Sequence, residues 1–438
     1  MKTPEEQLRP DLQPDVTVDT SVASSCGEAL QNIQHVINPL SDDKEHHMYD
    51  LLGFQPIIID EDFLRDLGIT SSISDETARM LREGSERFKL RYEKQTLTPS
   101  SQFHGAEINF DNPLEVHNYT GMCPTFVYEL TPSEGACSIA CQYCLVSDGD
   151  HCQPTVVWGN YPEHVRRILD DKKDERAFYY FSPKTEALAE SHLQMGIVHG
   201  VLGAFDEHYR EYPDSKARMF MATKGGPTHF QYRHDGETVI DCLSKLSGKV
   251  QVNGSIGIMP SHLRDVLEPN APSIEDRLEA LKMCQQQGLF AESVLAQPLL
   301  LPYMQDETLH EYFGQLSAAG IRNIKPEFLT VDIPNLVAIA QFVHHFDPEL
   351  LKELMEGYVH EENQNHLKQR SRLAPDRKQS IEMLKKLQEL AAQYDISISI
   401  CNWVKSQLVP LDPSLAEIDS GSKAQGYRCL GYQTNILK

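Results

Sequence analysis

Three cysteines stand close together in the sequence, at Cys137, Cys141 and Cys144. Their spacing of four and three residues lets all three side chains face one point from a short loop. Three thiolates in this arrangement suit three irons of a cubane iron–sulfur cluster, and they leave the fourth iron without a protein ligand. Because an iron with an open position can bind a reacting molecule, the spacing predicts a catalytic cluster.

Two other interpretations of the three cysteines stay open. A closed structural zinc site needs four ligands, usually supplied as two Cys-x2-Cys pairs. Here a fourth ligand is arguable at best, at His151 or Cys152. The cysteines can also be unrelated thiols. We favour the cluster over both.

The composition is that of a soluble globular protein, with 40% apolar and 24% charged residues in a chain of 438. The formal net charge of −24 repels phosphate backbones, so we expect no nucleic-acid partner. The same charge would tolerate cationic partners, although acidic surfaces also serve solubility alone. Ten cysteines are too few for a disulfide scaffold, and in a reducing compartment clustered cysteines act as metal ligands or catalysts.

The N-terminal residues 1–7 lack the basic start and the apolar core of a secretory signal. Elsewhere in the sequence, no apolar run approaches the length that spans a bilayer. We therefore expect a cytoplasmic protein that does not associate with membranes.

Strands and helices alternate after the cysteines, which is typical of a parallel sheet with crossover helices. Apolar runs predict six strands, at 126–131, 177–181, 217–223, 250–258, 291–297 and 323–330. Helical patterns between them lie at 163–171, 191–212, 237–246, 274–287 and 307–319. Ser273 is a good N-cap for the helix at 274–287, with Asp276 in its third position. The predicted fold class is α/β, and spacing alone does not separate a partial barrel from a doubly wound sheet.

The chain divides into three predicted regions. Residues 1–120 form an N-terminal arm and a helical extension, 121–345 form the main domain, and 346–438 form a C-terminal cap. The cap contains two amphipathic helices, at 348–357 and 377–394, followed by a strand at 396–401 and a loop-rich tail. We expect the cap to cover the open edge or the mouth of the main domain.

Polar side chains stand at the ends of three predicted strands. Ser182 and Glu186 follow the second strand, Lys224 follows the third, and Ser255 lies in the fourth. Functional groups of parallel α/β barrels gather at such strand ends. Glu186 is placed to accept hydrogen bonds from an ammonium group, and Lys224 can pair with a carboxylate. Each also has an ordinary explanation, as an acid at a helix N-terminus and as a solvated turn lysine.

Four local patterns occur in a fixed order between residues 125 and 330. They are the cysteine triplet with Tyr143 before its last member, a Ser-x-x-Thr-acidic turn at 182–186, a Thr-Lys turn at 223–224, and a Leu-Glu-Pro-x-Ala-Pro-Ser-x-x-x-Arg-Leu run at 267–278. Together they resemble the spore-photoproduct-lyase-like branch of the radical S-adenosylmethionine (SAM) superfamily. One turn departs from the branch, because Glu186 is followed by Ala-Leu where an Asp-Pro pair is more common.

The resemblance implies a partial (β/α)6 barrel of the radical SAM type with N-terminal and C-terminal extensions. It also implies a [4Fe–4S] cluster on the three cysteines and SAM chelated to the free iron. An electron donor such as flavodoxin or ferredoxin would reduce the cluster, and SAM cleavage would give a 5'-deoxyadenosyl radical that abstracts a substrate hydrogen. The residues expected to contact SAM are Tyr143, Ser182, Glu186, Lys224 and Ser255.

A fold does not fix its substrate, and the sequence lacks an evident basic groove for a duplex. We therefore expect a small polar metabolite, such as a sugar, an aminosugar or an aminoglycoside-like natural-product intermediate. A peptide-modifying maturase and a DNA photolesion lyase remain the alternatives.

Cys401 and Cys429 are the best spare cysteines for further chemistry. One ends an apolar strand and the other lies in an aromatic-Gly loop. With Cys123 or Cys152 they could complete an auxiliary cluster, which needs about four ligands. Either one could instead donate a hydrogen atom to a product radical, or both could be inert thiols. We expect ligation.

Overall fold

The computed structural model describes residues 54–69, 73–93, 106–109, 127–135, 137–144, 155–360, 363, 373–424 and 426–427. These residues belong to the unit Pro39–Lys438, the larger of two compact units into which the chain divides. They contain a seven-stranded parallel sheet, together with smaller sheets of three and two strands. The fold is therefore α/β, as predicted.

Strands and helices alternate along most of the described chain. The strands are β1 (Ala106–Asn109), β2 (Val127–Leu130), β3 (Ser133–Glu134), β4 (Thr155–Trp158), β5 (Phe178–Phe181), β6 (Arg218–Thr223), β7 (Arg233–His234), β8 (Glu237–Thr238), β9 (Val250–Ser255), β10 (Ser293–Leu299), β11 (Asn323–Phe328) and β12 (Ser397–Ile398). The helices are α1 (Glu61–Asp66), α2 (Asp75–Glu93), α3 (Tyr161–Asp171), α4 (Glu190–Gln194), α5 (Ile197–Glu211), α6 (Pro227–Phe230), α7 (Val239–Lys245), α8 (Ser261–Leu267), α9 (Ile274–Gln286), α10 (Asp306–Ala318), α11 (Ile333–Phe346), α12 (Leu351–Tyr358), α13 (Arg377–Ala392), α14 (Asn402–Leu408) and α15 (Leu415–Ala424). Short 3-10 helices lie at Leu301–Tyr303 and Pro348–Leu350.

The strands of the main sheet stand in chain order: β2, β5, β6, β9, β10, β11 and β12. Every neighbouring pair is parallel. A doubly wound sheet reverses its order at a switch point, and these described strands contain no reversal. Since parallel crossovers are nearly always right-handed, an unreversed order stacks the connecting helices on one side of the sheet.

Aromatic side chains mark the two faces of this sheet. Tyr179 of β5 contacts Phe205 of α5 with ring centroids 5.7 Å apart, so α5 covers that face. Alternate residues of a strand point to opposite faces. The opposite face carries a buried apolar cluster of Val127, Phe178, Tyr180, Phe220 and Leu295. We call this second side the inner face.

The structure confirms the six predicted strands, which are β2, β5, β6, β9, β10 and β11. Four predicted helices correspond to α3, α7, α9 and α10. The expected N-cap of α9 is also present, because the Ser273 hydroxyl accepts a hydrogen bond from the Asp276 amide at 3.1 Å. Runs of apolar residues and helix-capping residues thus predicted the strands and this helix start correctly.

Two predicted elements differ in the structure. The single helix predicted at 191–212 is divided into α4 and α5, because Gly196 adopts a left-handed φ of 70° between them. The strand predicted at 396–401 pairs only over Ser397–Ile398, and it extends the main sheet beside β11. The C-terminal region therefore contributes a strand to the sheet itself.

The N-terminal helical region packs on α11. Phe342 of α11 stacks on Phe54 at 5.7 Å between ring centroids, and it contacts Phe88 of α2 edge-on at 5.9 Å. These rings belong to a large apolar cluster that also includes Cys141. Among the described helices, none is both long and apolar enough to cross a membrane.

Candidate functional site

The three predicted cluster ligands lie in residues 137–144, which we call the cysteine loop. Two tight turns form it: the Ala140 amide donates to the Cys137 carbonyl, and the Cys144 amide donates to the Cys141 carbonyl, each at 3.0 Å. Ala140 adopts a φ of 53°, which a non-glycine residue keeps only where its surroundings enforce it. Cys141 is buried, and the other two cysteines are partly buried.

Distant residues hold the cysteine loop in place. The Gln142 amide donates to the Leu267 carbonyl at 2.9 Å. Asn270 donates through Nδ2 to the Ser138 carbonyl at 2.8 Å, and Asn335 donates through Nδ2 to the Gln142 carbonyl at 2.9 Å. The 267–278 run is therefore one of the supports of this loop.

Two of the three cysteines, Cys137 and Cys141, have thiol pKa values above the ordinary value. Burial, followed by the nearby Glu186 carboxylate, raises the pKa of the Cys137 thiol to about 12. Burial also raises the pKa of Cys141 well above its ordinary value, although the Lys224 ammonium acts in the opposite direction. A coordinated metal ionises such thiols. The donor set therefore fits a thiolate-bound metal centre.

The described residues do not form a ready site for a single metal ion at this loop. Across the described residues, no three His, Cys, Asp or Glu side chains are grouped so as to hold one metal ion. One zinc ion requires its sulfur ligands at about 2.3 Å from a common point. A cubane cluster has a separate iron for each thiolate and does not require that convergence. His151 and Cys152, the suggested fourth zinc ligands, lie outside the described residues.

Glu186 connects the cysteine loop to the end of β6. Its amide donates to the sulfur of Cys137 at 3.3 Å. Its carboxylate accepts hydrogen bonds from the Thr223 hydroxyl, from the Leu188 amide at 3.0 Å and from the Lys224 amide at 2.9 Å. Because a carboxylate has about four acceptor positions, roughly one remains for a ligand.

Lys224 lies between two strand ends and faces a buried acid. Its ammonium donates to the Ser255 hydroxyl at 3.1 Å and lies 3.9 Å from Oε1 of Glu268. Burial by itself lowers the pKa of Lys224, but Cys141 and Glu268 outweigh that effect, and the pKa lies above its usual value. Lys224 is therefore a cation that faces the cysteine loop.

Glu268 is the centre of a buried charge network. The Tyr143 hydroxyl donates to its Oε1, and Arg277 donates to its Oε2 at 2.6 Å. Arg277 also donates to the Ser255 carbonyl at 2.9 Å. Burial raises the pKa of the Glu268 carboxyl, but Arg277, Lys224 and these hydrogen bonds lower it by more, so the pKa lies below its ordinary value. The network therefore joins the cysteine loop to the ends of β6 and β9.

Ser182 occupies a different position from the other residues expected to contact SAM. Its hydroxyl lies 2.7 Å from the Thr185 hydroxyl and donates to the Thr185 carbonyl at 3.1 Å. Its φ of 53° places it in a left-handed turn. Ser182 thus shapes the turn that presents Glu186, whereas Tyr143, Lys224 and Ser255 meet around Glu268.

Sequence reasoning missed Glu268, Arg277 and Thr223 as site residues. Ser273 and Asp276 explained the 267–278 run as a helix start, and this hid the acid and the arginine on either side of them. The signal available was the run itself, in which an acid and an arginine stand nine positions apart, each next to an apolar leucine. In the structure both are almost fully buried, with side chains 0% and 1% exposed.

Cys401 follows β12 by three residues and is the N-cap residue of α14, where it is partly buried. The Lys325 ammonium lies near enough for the Cys401 thiol to influence its pKa. Cys429, Cys123 and Cys152 lie outside the described residues. The auxiliary cluster therefore stays a prediction.

No protein-family model matches this chain, and no curated protein matches it. The residues of the site and their contacts are thus the basis on which its function is inferred.

Proposed function

We propose that the protein is a radical SAM enzyme, in which the cysteine loop holds a [4Fe–4S] cluster at the mouth of a partial (β/α)6 barrel. The observation that carries this proposal is the buried network of Glu186, Lys224 and Glu268, which joins the cysteine loop to the ends of three neighbouring parallel strands. Buried charges are costly and seldom improve stability over apolar packing. A purely structural cysteine site has no need of them.

The unreversed strand order supports the barrel. Crossovers that all advance in one direction leave one face of the sheet free of connecting helices. In a barrel that face becomes the interior, and the strand ends around its mouth carry the functional groups. The strand β12 then adds to the barrel edge beyond the six predicted strands.

A [4Fe–4S] cluster held by Cys137, Cys141 and Cys144, together with SAM, would supply the difficult chemistry, which is reductive cleavage of SAM to methionine and a 5'-deoxyadenosyl radical able to take a hydrogen from the substrate. The residues of the chain bind SAM and orient it. Glu186 has the acceptor capacity for the SAM ammonium, and Lys224 is a cation facing the cysteine loop that can pair with the SAM carboxylate. Tyr143 and Arg277 keep Glu268 ionised so that Lys224 stays in position.

We infer a small polar metabolite as the substrate and a flavodoxin-like or ferredoxin-like protein as the electron donor. The charge of −24 supports this substrate class over a DNA duplex, whose phosphates would be repelled.

Iron and sulfide analysis of anaerobically reconstituted protein tests the proposal. The parent should bind about four irons through the cysteine loop, and replacing its three cysteines by Ala should remove them. Cys242→Ala is the matched control, because Cys242 is a buried thiol on α7. A triple variant that binds as much metal as the parent would contradict the cluster assignment.

A further inference from the structure

The inner face carries a row of partly exposed residues where its strands end. The strand register and the alternation of side chains place such residues on or just after β6, β9, β10, β11 and β12. They are Ala222, Lys224, Ser255, Gln297, Glu327 and Cys401. Residues deeper on the same face, such as Tyr180 and Leu295, are buried. The C-terminal edge of the inner face is therefore partly open to solvent, and we call this row of residues the groove.

Two ends of this groove carry charge. At one end, Lys224 contacts Ser255 beside the cysteine loop. Ser255, Leu295 and Lys325 are register partners across β9, β10 and β11, so Lys325 faces the same side. Two strand spacings separate Ser255 from Lys325, which is about 9–10 Å. A small molecule in the groove would reach from the predicted SAM position to β11.

The far end is an ion pair in which only the acid is accessible. The Lys325 ammonium donates to Oε1 of Glu327, and their side chains are 3% and 27% exposed. The buried Lys325 ammonium pairs with the Glu327 carboxylate, and the carboxylate is the group that a ligand can contact.

Packing does not account for this pair. Leu295 fills the adjacent position in the same row with an apolar side chain. A buried ion pair is often no more stabilising than apolar residues of similar volume. The pair is therefore better explained by recognition of a polar ligand than by the stability of the sheet.

We propose that Glu327, paired with Lys325, anchors the amino group of the substrate, and that the substrate is an amine-bearing polyol of the aminosugar class. This inference rests on the proposed function, because it takes the groove beside the cysteine loop as the substrate side. The carboxylate accepts charge-assisted hydrogen bonds from an ammonium, and an anionic group at the same place would be repelled. The apolar floor formed by Tyr180 and Leu295 suits the C–H face of a sugar ring.

The test compares three hexoses that differ in charge: glucosamine, glucose and glucuronate. Their binding to reconstituted protein with SAM is followed by ligand-observed NMR without a reductant, so that no turnover is needed. The parent should bind glucosamine most tightly and glucuronate least tightly. Glu327→Gln should weaken glucosamine binding by about 10- to 150-fold, the loss expected for one charge-assisted hydrogen bond. Glu311→Gln, an exposed acid on α10, should leave it unchanged.

Exchanging the charges of Lys325 and Glu327 keeps an ion pair in place, so it separates an effect on ligand recognition from an effect on folding. In Lys325→Glu/Glu327→Lys the accessible group becomes a cation, so glucuronate should bind more tightly than glucosamine. No glucosamine binding by the parent, equal affinities for the three hexoses, an unchanged Kd in Glu327→Gln, or an unswitched preference in the double variant would overturn the inference. None of these results bears on cluster content or SAM cleavage, which test the proposed function separately.

Discussion

The hydroxyl of Tyr143, which immediately precedes the last cysteine of the loop, donates a hydrogen bond to the carboxylate of Glu268. The two residues are 125 positions apart in the chain. This bond fixes the cysteine loop to the residue that also pairs with Arg277 and faces Lys224. The cysteine loop and three of the predicted SAM contacts, Tyr143, Lys224 and Ser255, are therefore parts of one buried network.

Tyr143→Phe should destabilise the protein through this bond. The hydrogen bond reaches a charged acceptor, so its loss should lower the free energy of unfolding by about 1.5–3 kcal/mol. Denaturant unfolding measures the change. Tyr312→Phe is the matched control, since the Tyr312 hydroxyl donates to the neutral Ile256 carbonyl and its loss should cost about 0.5–1.5 kcal/mol. Equal effects in the two variants would mean that the charge of Glu268 contributes nothing.

Glu268 should make stability depend on pH in a defined direction. Its pKa is lowered in the folded protein, so its carboxylate stabilises the fold at neutral pH and this contribution is lost as the pH falls below the unfolded value of about 4.3. Metal-free parent should exceed Glu268→Gln in stability at pH 7, and the difference should shrink on acidification. A difference between the two proteins that stays constant from neutral to acidic pH would contradict the network.

Glu186→Gln and Lys224→Ala should weaken SAM binding without changing the iron content of the cysteine loop. Each removes one charge-assisted contact, so the Kd for SAM should rise by about 10- to 150-fold. Calorimetry on reconstituted protein measures it. Lys245→Ala, which breaks an exposed ion pair with Glu237, serves as the control. Unaltered affinity in both site variants would show that these turns are structural.

Cys401→Ala and Cys429→Ala should each lower iron and sulfide below the parent values, because the ligands of a second cluster must all be present. Metal binding and local folding are coupled, so the C-terminal region should also become more sensitive to proteolysis. A hydrogen-donating thiol would behave differently, since its loss would spare iron and change only the product. Metal contents equal to the parent's in both variants would eliminate the auxiliary cluster.

Local sequence features predicted much of the fold, because buried runs and helix caps act over a few residues. The six strands and the Ser273 cap are of this kind. The left-handed φ of Gly196 ends one helix and starts the next, and the apolar pattern around Gly196 gave no sign of this break. The addition of β12 to the sheet edge depends on pairing with β11, about seventy residues earlier, and no local pattern specifies that register.

The candidate site was predictable only in part, for a related reason. Glu186, Lys224 and Ser255 follow buried strands, where a polar residue is conspicuous. Glu268 and Arg277 belong to the site because of contacts with Tyr143 and Lys224, and these contacts form only when the chain folds. The ion pair of Lys325 and Glu327 could not be predicted either, because in the sequence these residues look like the end of an ordinary strand.

The most direct measurement of the central claim is 5'-deoxyadenosine formation, followed by mass spectrometry of anaerobic reactions that contain reconstituted protein, SAM and a strong reductant. The parent and Cys242→Ala should form 5'-deoxyadenosine, and proteins with Cys137, Cys141 or Cys144 replaced by Ala should form none. Failure of the iron-loaded parent to cleave SAM, or equal cleavage by the cysteine-loop variants, would contradict the account.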